Sequence, residues 1–310
     1  MRLRSLKNRE LDAAEIVDPT LRAAYDACRR LNARHGRTYY LSTLLLPAAK
    51  RPAVHALYAF ARHADDLVDT LDPTVDLPAK EQALTRWAER FARGATDHPV
   101  LLAVHDTVDR YGIPRSLFDD FLAAMWMDLT TTSYPTWDDL LGYAHGSAAV
   151  IGEQLIPVLG TTPGMRDAAV PYARDLGVAF QLANFIRDIG EDQRRGRTYL
   201  PLEDLADFGV SLSDLAAGVV DGRMRRLLGF EIARARKLFR SALPGIRLLD
   251  PTSRDCVRTA FTLYGGILDA VERADYQVFD QRVRIGPARR AAVAIPGVIR
   301  AVRSRHTHGP

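Results

Sequence analysis

One stretch limits what this chain can fold into more than any other: PAVHALYAFARHADDLVDTL, residues 52–71. Val54, Leu57, Tyr58, Ala61, Ala64 and Val68 recur at intervals of three and four, which places them on one face of an α-helix. Pro52 suits a first helical turn, where a missing N–H leaves no bond unmade. The same period predicts further helices over 21–35, 80–93, 99–111, 116–129, 137–159, 165–189, 211–217, 223–243, 253–275 and 289–304, with Ser116 as an N-cap. No run of β-branched residues alternates with polar ones between turn signals, so no strand is expected. No repeat of fixed period stands out, and no stretch rich in Pro, Gly or Ser divides the chain. The expectation is a single all-α domain of about ten or more helices.

The helix opened by Pro52 ends in ADDLVDT, with Asp65, Asp66 and Asp69 close together. Like charges one turn apart repel by roughly 0.2–0.5 kcal/mol, and aspartate is a weak helix former. A second acidic set lies in QLANFIRDIGEDQRRGRTYLP, which begins at Gln181. Asn184, Asp188 and Asp192 stand at i, i+4 and i+8 and share a face if the helix runs through them. Gly190 argues against that continuity, and 190–201 reads as a loop, with Arg194 and Arg195 as solvated residues in it. Arg62 and Arg187 flank the two sets. Carboxylate and amide oxygens in this pattern suit Mg²⁺, which takes a few carboxylates together with water and substrate phosphates. Arginines beside them could grip the same phosphates bidentately. The competing reading is two solvated acidic surfaces.

Charge and cysteine usage remove other classes. The net charge is +4, and the excess gathers in 281–310, where Arg282, Arg284, Arg289, Arg290, Arg300, Arg303 and Arg305 meet no acid. Such a segment fits an anionic membrane surface or nucleic acid. The aromatic interleaving of a single-strand binder is missing, so no nucleic-acid partner is expected. Cys28 and Cys256 form neither a disulfide framework nor a zinc spacing. The opening MRLRSLKNRELDAAE has no apolar core of a signal peptide. No run approaches the ~18 apolar residues of a membrane span. A cytoplasmic protein is expected, with peripheral contact at the inner membrane face.

Four stretches, RTYYLSTLLLPAAKRPAVHALYAFARHADDLVD, GYAHGSAAVIGEQLIPVLG, LGVAFQLANFIRDIGEDQRRGRTYLP and LYGGILDAVERADYQVFDQRV, resemble the squalene and phytoene synthase family, and in wording its bacterial phytoene-forming members. The resemblance implies a class I isoprenoid synthase bundle around a central cavity over 21–285, with an N-terminal extension (1–20) and a basic C-terminal segment (286–310). It implies an Mg²⁺-dependent prenyltransferase that condenses two geranylgeranyl diphosphates through a cyclopropylcarbinyl diphosphate to phytoene, for carotenoid biosynthesis. Roughly two or three Mg²⁺ ions are implied, Mn²⁺ being an alternative, and no NADPH.

Carried over by position, the metal ligands fall on Asp65, Asp69, Asn184, Asp188 and Asp192. Diphosphate-binding groups fall on Arg62, Arg187 and Arg197, with Arg37 and Thr38 on a neighbouring segment. Cavity tyrosines fall on Tyr58, Tyr143, Tyr199 and Tyr264, and Gln181 faces the cavity one turn before Asn184. Gly36 stands where relatives commonly have serine. Ala144 and Ser147-Ala148-Ala149 replace the usual Tyr-Cys continuation and later Val-Ala-Gly. The alternatives are a farnesyl-using synthase making presqualene diphosphate, dehydrosqualene or squalene, a single-substrate cyclase, and a non-catalytic helical scaffold. Oligomeric state is not legible.

Overall fold

Between residues 19 and 273 every stretch with helical period is helical in the computed structural model, which describes residues 6–70, 72, 74–280, 282, 283, 285, 286, 289, 292, 293, 295–297, 300 and 301. Among these residues the chain forms α1 (Leu6–Ala13), α2 (Pro19–His35), α3 (Arg37–Thr43), α4 (Arg51–Asp69), α5 (Leu77–Ala92), α6 (Pro99–Tyr111), α7 (Ser116–Thr130), α8 (Trp137–Ala144), α9 (Val150–Leu159), α10 (Arg166–Arg194), α11 (Leu202–Asp207), α12 (Leu212–Ala217), α13 (Gly222–Ala242) and α14 (Pro251–Arg273). A 3₁₀ turn, Leu243–Leu248, joins α13 to α14. There is no strand among them; two isolated bridges pair Ser133 with Thr198 and Thr161 with Leu249.

Acidic and hydroxyl side chains start many of these helices. Asp18, Asp76, Asp221 and Asp250 each accept a backbone N–H of the first turn. Thr136 with Asp139 and Ser211 with Asp214 form reciprocal capping boxes. Ser116 does not act as the expected N-cap. The residue before it, Arg115, is already helical (φ −65°, ψ −30°) and no side chain caps the end. The N–H groups of Leu117 and Phe118 are taken by the carbonyls of Pro114 and Arg115 instead.

Three other expectations change. The run 137–159 is not one helix: a π-helical turn, His145–Ala149, separates α8 from α9. Gly146 lies there against α7, where a Cβ would come within 2.8 Å of the Asp120 carbonyl oxygen. Helix α10 does not loosen at Gly190 but continues to Arg194. That glycine answers a close approach, because its missing Cβ would strike the backbone of Phe279. Helices α3 and α11, seven and six residues long, are not among the expected runs.

Helix α10 is the axis. It packs against α9, α13 and α14, while α4 packs against α2, α5, α6 and α7. Phe60 of α4 anchors an aromatic cluster with Trp87, Phe91, Phe118 and Phe121. Each such buried ring contributes on the order of 1.5–3 kcal/mol. The basic segment is tied down where it is described: Arg289 pairs with Asp269 and Arg300 with Asp255, both at 2.8 Å. Arg284, Arg290, Arg303 and Arg305 lie outside the described residues, as does half of the helix expected over 289–304; the described residues of that run, 289, 292, 293, 295–297, 300 and 301, are helical. Cys28 and Cys256 are buried free thiols.

Candidate active site

The last turns of α4 carry the first acidic set. Arg62 reaches forward one turn, donating to Asp65 at 2.9 Å and pairing with Asp66. Asp69 is held from across the fold by Arg195 at 2.9 Å and Arg197 at 2.8 Å, both just beyond α10. These two contacts join acidic motifs 123 positions apart in sequence (Asp65 to Asp188). Arg195, expected as a solvated loop residue, is therefore a strut; it also pairs with Glu191 at 2.9 Å. Arg194 donates to the Phe279 carbonyl.

The continuous helix keeps Gln181, Asn184, Asp188 and Asp192 on one face of α10. Asp188 is gripped twice in bidentate fashion. Arg187 donates at 2.7 and 2.5 Å, and Arg282 donates from the chain after α14 at 2.8 and 2.8 Å. Burial pushes the Asp188 carboxyl up, but these two guanidinium groups hold it below the usual carboxylate range. Asp192 has no such grip. Burial and the charges of Asp188 and Glu191 push it up to about 8, against Arg195 and Arg197. Asp65 is pushed up to about 7 by the packing around it and by Asp69, Arg62 opposing. Its side chain remains 40% exposed, so it sits at a crevice mouth rather than in the core.

Behind the mouth stands a carboxylate that the sequence did not single out. Asp128 of α7 is buried and accepts hydrogen bonds from Tyr143 at 2.8 Å and Tyr199 at 3.1 Å. Its backbone carbonyl accepts from Arg197 at 2.9 Å. Burial pushes it up to about 6, with the tyrosine hydrogen bonds and Arg197 opposing. The Tyr199 ring stacks on Phe185 at 4.2 Å.

An apolar cavity of about 190 Å³ runs along α10. Ala169, Tyr172, Ala173, Leu176, Gly177, Phe180 and Gln181 line it from that helix at three- and four-residue steps. The twelve helical rises from Ala169 to Gln181 make this wall ~18 Å long, and Gln181 marks the acidic end. Gln181 is among the lining residues; Tyr58, Tyr143, Tyr199 and Tyr264 are not. Tyr143 and Tyr199 turn to Asp128, and the tyrosines lining the cavity are Tyr39 and Tyr172. Tyr58 and Tyr264 pack behind Tyr39, with ring centroids 6.1 and 5.1 Å away, and Phe180 stacks on Tyr264 at 4.3 Å.

Burial raises the Tyr39 and Tyr264 hydroxyls, with the Arg187 charge opposing. Burial also pushes Tyr58 up to about 12, against Arg62. Gly36 is explained by Tyr58: a Cβ there would lie 2.7 Å from the ring. Thr38 sits half-buried on α3 beside Tyr39. Arg37 opens that helix, and its side chain is outside the described residues.

Among the described residues no three His, Cys, Asp or Glu side chains converge as a metal cluster. Arginines hold Asp65, Asp69 and Asp188 instead. The donor set nevertheless fits a hard divalent cation. It is all oxygen, and Asp65 and Asp192 are crowded by like charge that a cation would relieve.

Two acidic sets at the end of a long apolar cavity can hold an anionic head and bury a hydrocarbon tail. Comparison with known proteins agrees. The family model for squalene/phytoene synthase matches residues 32–289. The chain is 40% identical over 275 residues to the phytoene synthase of Arthrospira platensis, covering 84% of this chain and 88% of that protein. It is 38% identical over 286 residues to the 15-cis-phytoene synthase of Synechococcus elongatus, covering 89% and 92%. Among solved structures it is similar to a dehydrosqualene synthase in complex with ligand (TM-score 0.80, 27% identity, 92% and 98% covered). It is also similar to the squalene synthase HpnC of Alicyclobacillus acidocaldarius (TM-score 0.77, 29% identity, 86% and 100% covered).

Proposed function

The chain belongs to the squalene/phytoene synthase family, and on that premise we propose how its residues divide the work of joining two prenyl diphosphates. The reaction is the head-to-head condensation of two geranylgeranyl diphosphates to phytoene, a prenyltransferase step of carotenoid biosynthesis. The observation that carries this substrate is the pattern of identity. Phytoene synthases share 38–40% with the chain over most of both lengths, whereas the solved dehydrosqualene and squalene synthases share 27% and 29%.

Mg²⁺, with Mn²⁺ as an alternative, would be held by Asp65, Asp69, Asn184, Asp188 and Asp192, and would supply Lewis-acid neutralisation of the diphosphate as it leaves. Arg62, Arg187, Arg197 and Arg282 bind diphosphate oxygens with the same paired N–H groups that now hold carboxylates. Substrate binding is thus an exchange of partners. The apolar wall along α10 buries the hydrocarbon and keeps water from the allylic cation formed when the C–O bond breaks. The double bond of the second molecule attacks that cation, and proton loss closes the cyclopropane. A second ionisation, rearrangement and proton loss give phytoene; both diphosphates leave, and no hydride is consumed. Tyr39, Tyr58 and Tyr264 offer ring faces near the acidic end for the positive charge. Gln181 and Asn184 position the head at the cavity mouth.

The test is to supply purified protein with Mg²⁺ and either geranylgeranyl or farnesyl diphosphate, with and without NADPH, and to identify products by mass. A C40 hydrocarbon from the longer substrate without NADPH is expected. A C30 product would move the substrate assignment to farnesyl diphosphate. Asp65→Ala and Asp188→Ala are each expected to abolish turnover with an unchanged circular dichroism spectrum. Near-normal turnover in either variant at saturating Mg²⁺ would overturn the ligand assignment.

A further inference from the structure

Burying a carboxylate without a cation in contact with it weakens a fold. Asp128 of α7 is such a group. Its two oxygens go to neutral phenols: Oδ2 accepts from Tyr143 at 2.8 Å and Oδ1 from Tyr199 at 3.1 Å. What Arg197 takes from this residue is the backbone carbonyl, at 2.9 Å. Burial raises the carboxyl only to about 6, against the two tyrosines and Arg197, so it is ionised at neutral pH. The charge is kept at some loss of stability, and its use lies in the direction of the hydrogen bonds around it.

An ionised carboxylate can only accept. Both phenols therefore turn their O–H towards Asp128 and keep their oxygen lone pairs for other donors. Tyr199 Oη meets Arg197 Nη1 at 3.5 Å, so the chain of donors runs one way, from Arg197 to Tyr199 to Asp128. The same Nη1 donates to Asp69 at 2.8 Å, while Nη2 stays on the Asp128 carbonyl. Both edges of the guanidinium are thus referred to one residue, through its carbonyl on one side and through Tyr199 on the other. The Tyr199 ring is fixed in turn, stacked on Phe185 at 4.2 Å and on Tyr143 at 5.7 Å. An amide at 128 could not keep this arrangement. Whichever way it turned, one phenol would lose its acceptor, and the bond to the other would lose its charge assistance.

We propose that Asp128 is a positioning residue for diphosphate binding: acting through Tyr199, it holds Arg197 in place while Nη1 exchanges Asp69 for a diphosphate oxygen. The inference rests on the reading of Arg197 as a diphosphate-binding group. Asp128 itself touches neither the cation nor the substrate in this scheme.

The experiment measures the inhibition constant of inorganic diphosphate, and kcat, with Mg²⁺ and geranylgeranyl diphosphate. The proteins are wild type, Asp128→Asn, Tyr199→Phe and the double variant, with a urea midpoint for each. Partners that orient a binding group from behind are worth about 10-fold or more. Asp128→Asn is expected to raise the inhibition constant and lower kcat by that factor. Tyr199→Phe cuts the same chain with the carboxylate in place and is expected to raise the inhibition constant similarly, which keeps the test open if Asp128→Asn does not fold. In the Tyr199→Phe background, adding Asp128→Asn should change the constant by no more than about 2-fold, because the route to Arg197 is already broken. A carboxylate that only supports the fold would move the urea midpoint and leave the inhibition constant alone. An unchanged constant in either single variant, or a rise from Asp128→Asn that is undiminished in the double variant, overturns the proposal. A wild type that makes no C40 product, or that inorganic diphosphate does not inhibit, defeats the functional reading instead, and the two failures are distinct.

Discussion

Replacing Gly152 by alanine tests the seam between α9 and α10. In an exposed helix interior Gly→Ala stabilises by about 1 kcal/mol. Here the new Cβ would lie 2.9 Å from the carbonyl carbon of Ala173 and nearer still to its oxygen. Carbon atoms rest at ~3.5–4.0 Å, and the obstacle is backbone, so the helices must part by roughly half an ångström to one ångström. Overpacking of this kind costs about 1–3 kcal/mol, and a clash with backbone belongs at the upper end. The net expectation is a loss of about 2 kcal/mol. An unfolding entropy near ~2.1 cal/mol/K per residue over 310 residues converts this to a drop of about 3 °C in Tm. Gly142 supplies the control: it is exposed in α8 with nothing within 4 Å of its Cβ position, so Gly142→Ala should gain about 0.5–1 kcal/mol. Gly177→Ala opens the same seam from the other side, against Ala148 and Ala149. The double variant should then cost less than the sum of the singles by at least ~0.5 kcal/mol. Urea denaturation with calorimetric Tm values measures all four. A Gly152→Ala protein as stable as wild type, or strict additivity with Gly177→Ala, would refute the seam.

Three further outcomes follow from the structure. His55 is buried at 1% exposure and its pKa is lowered to about 3, by burial first and then by the charges of Arg29 and Arg51. It is neutral when folded but protonated in the unfolded chain below about 6.5, so stability is lost as pH falls below that value, by roughly 2 kcal/mol at pH 5; His55→Gln should flatten the urea midpoint between pH 7 and 5, and parallel profiles would contradict this. Arg197→Lys keeps the charge but loses the fork that joins Asp69 to the Asp128 carbonyl, so turnover should fall roughly 10²-fold with the fold intact, and a rate close to wild type would show that the fork is dispensable. Arg282, Arg289 and Arg300 are engaged in ion pairs, so the peripheral membrane contact proposed for the basic segment should depend on its other arginines, Arg284, Arg290, Arg303 and Arg305; glutamine at all four should weaken sedimentation with anionic vesicles, and unchanged sedimentation would count against that role.

The helical period announced nearly all of the bundle, because α4, α10 and α14 bury one face each over many turns. Helix α3 escaped it, because RTYYLST carries mixed polar and aromatic residues with no clear apolar face, and so did Tyr39 on the cavity wall. The acidic sets were legible because like charges on apolar helices are costly and so informative. Asp128 was not, since a lone acid on α7 looks like a surface residue until Tyr143 and Tyr199 are seen to close on it. Arg282 was hidden among tail arginines that sequence could not tell apart. Gly190 was misread because a glycine demanded by a distant backbone, that of Phe279, looks the same in sequence as one that ends a helix.

Five arginines, Arg62, Arg187, Arg195, Arg197 and Arg282, stand among Asp65, Asp66, Asp69, Glu191 and Asp188, each paired with at least one of them. With Asp192 beside them the acids number six, so before a cation is held the mouth offers an arriving diphosphate no excess of positive charge to steer it. Attraction of the head waits on the cation, and what the chain itself contributes to first retention is desolvation of the long apolar tail.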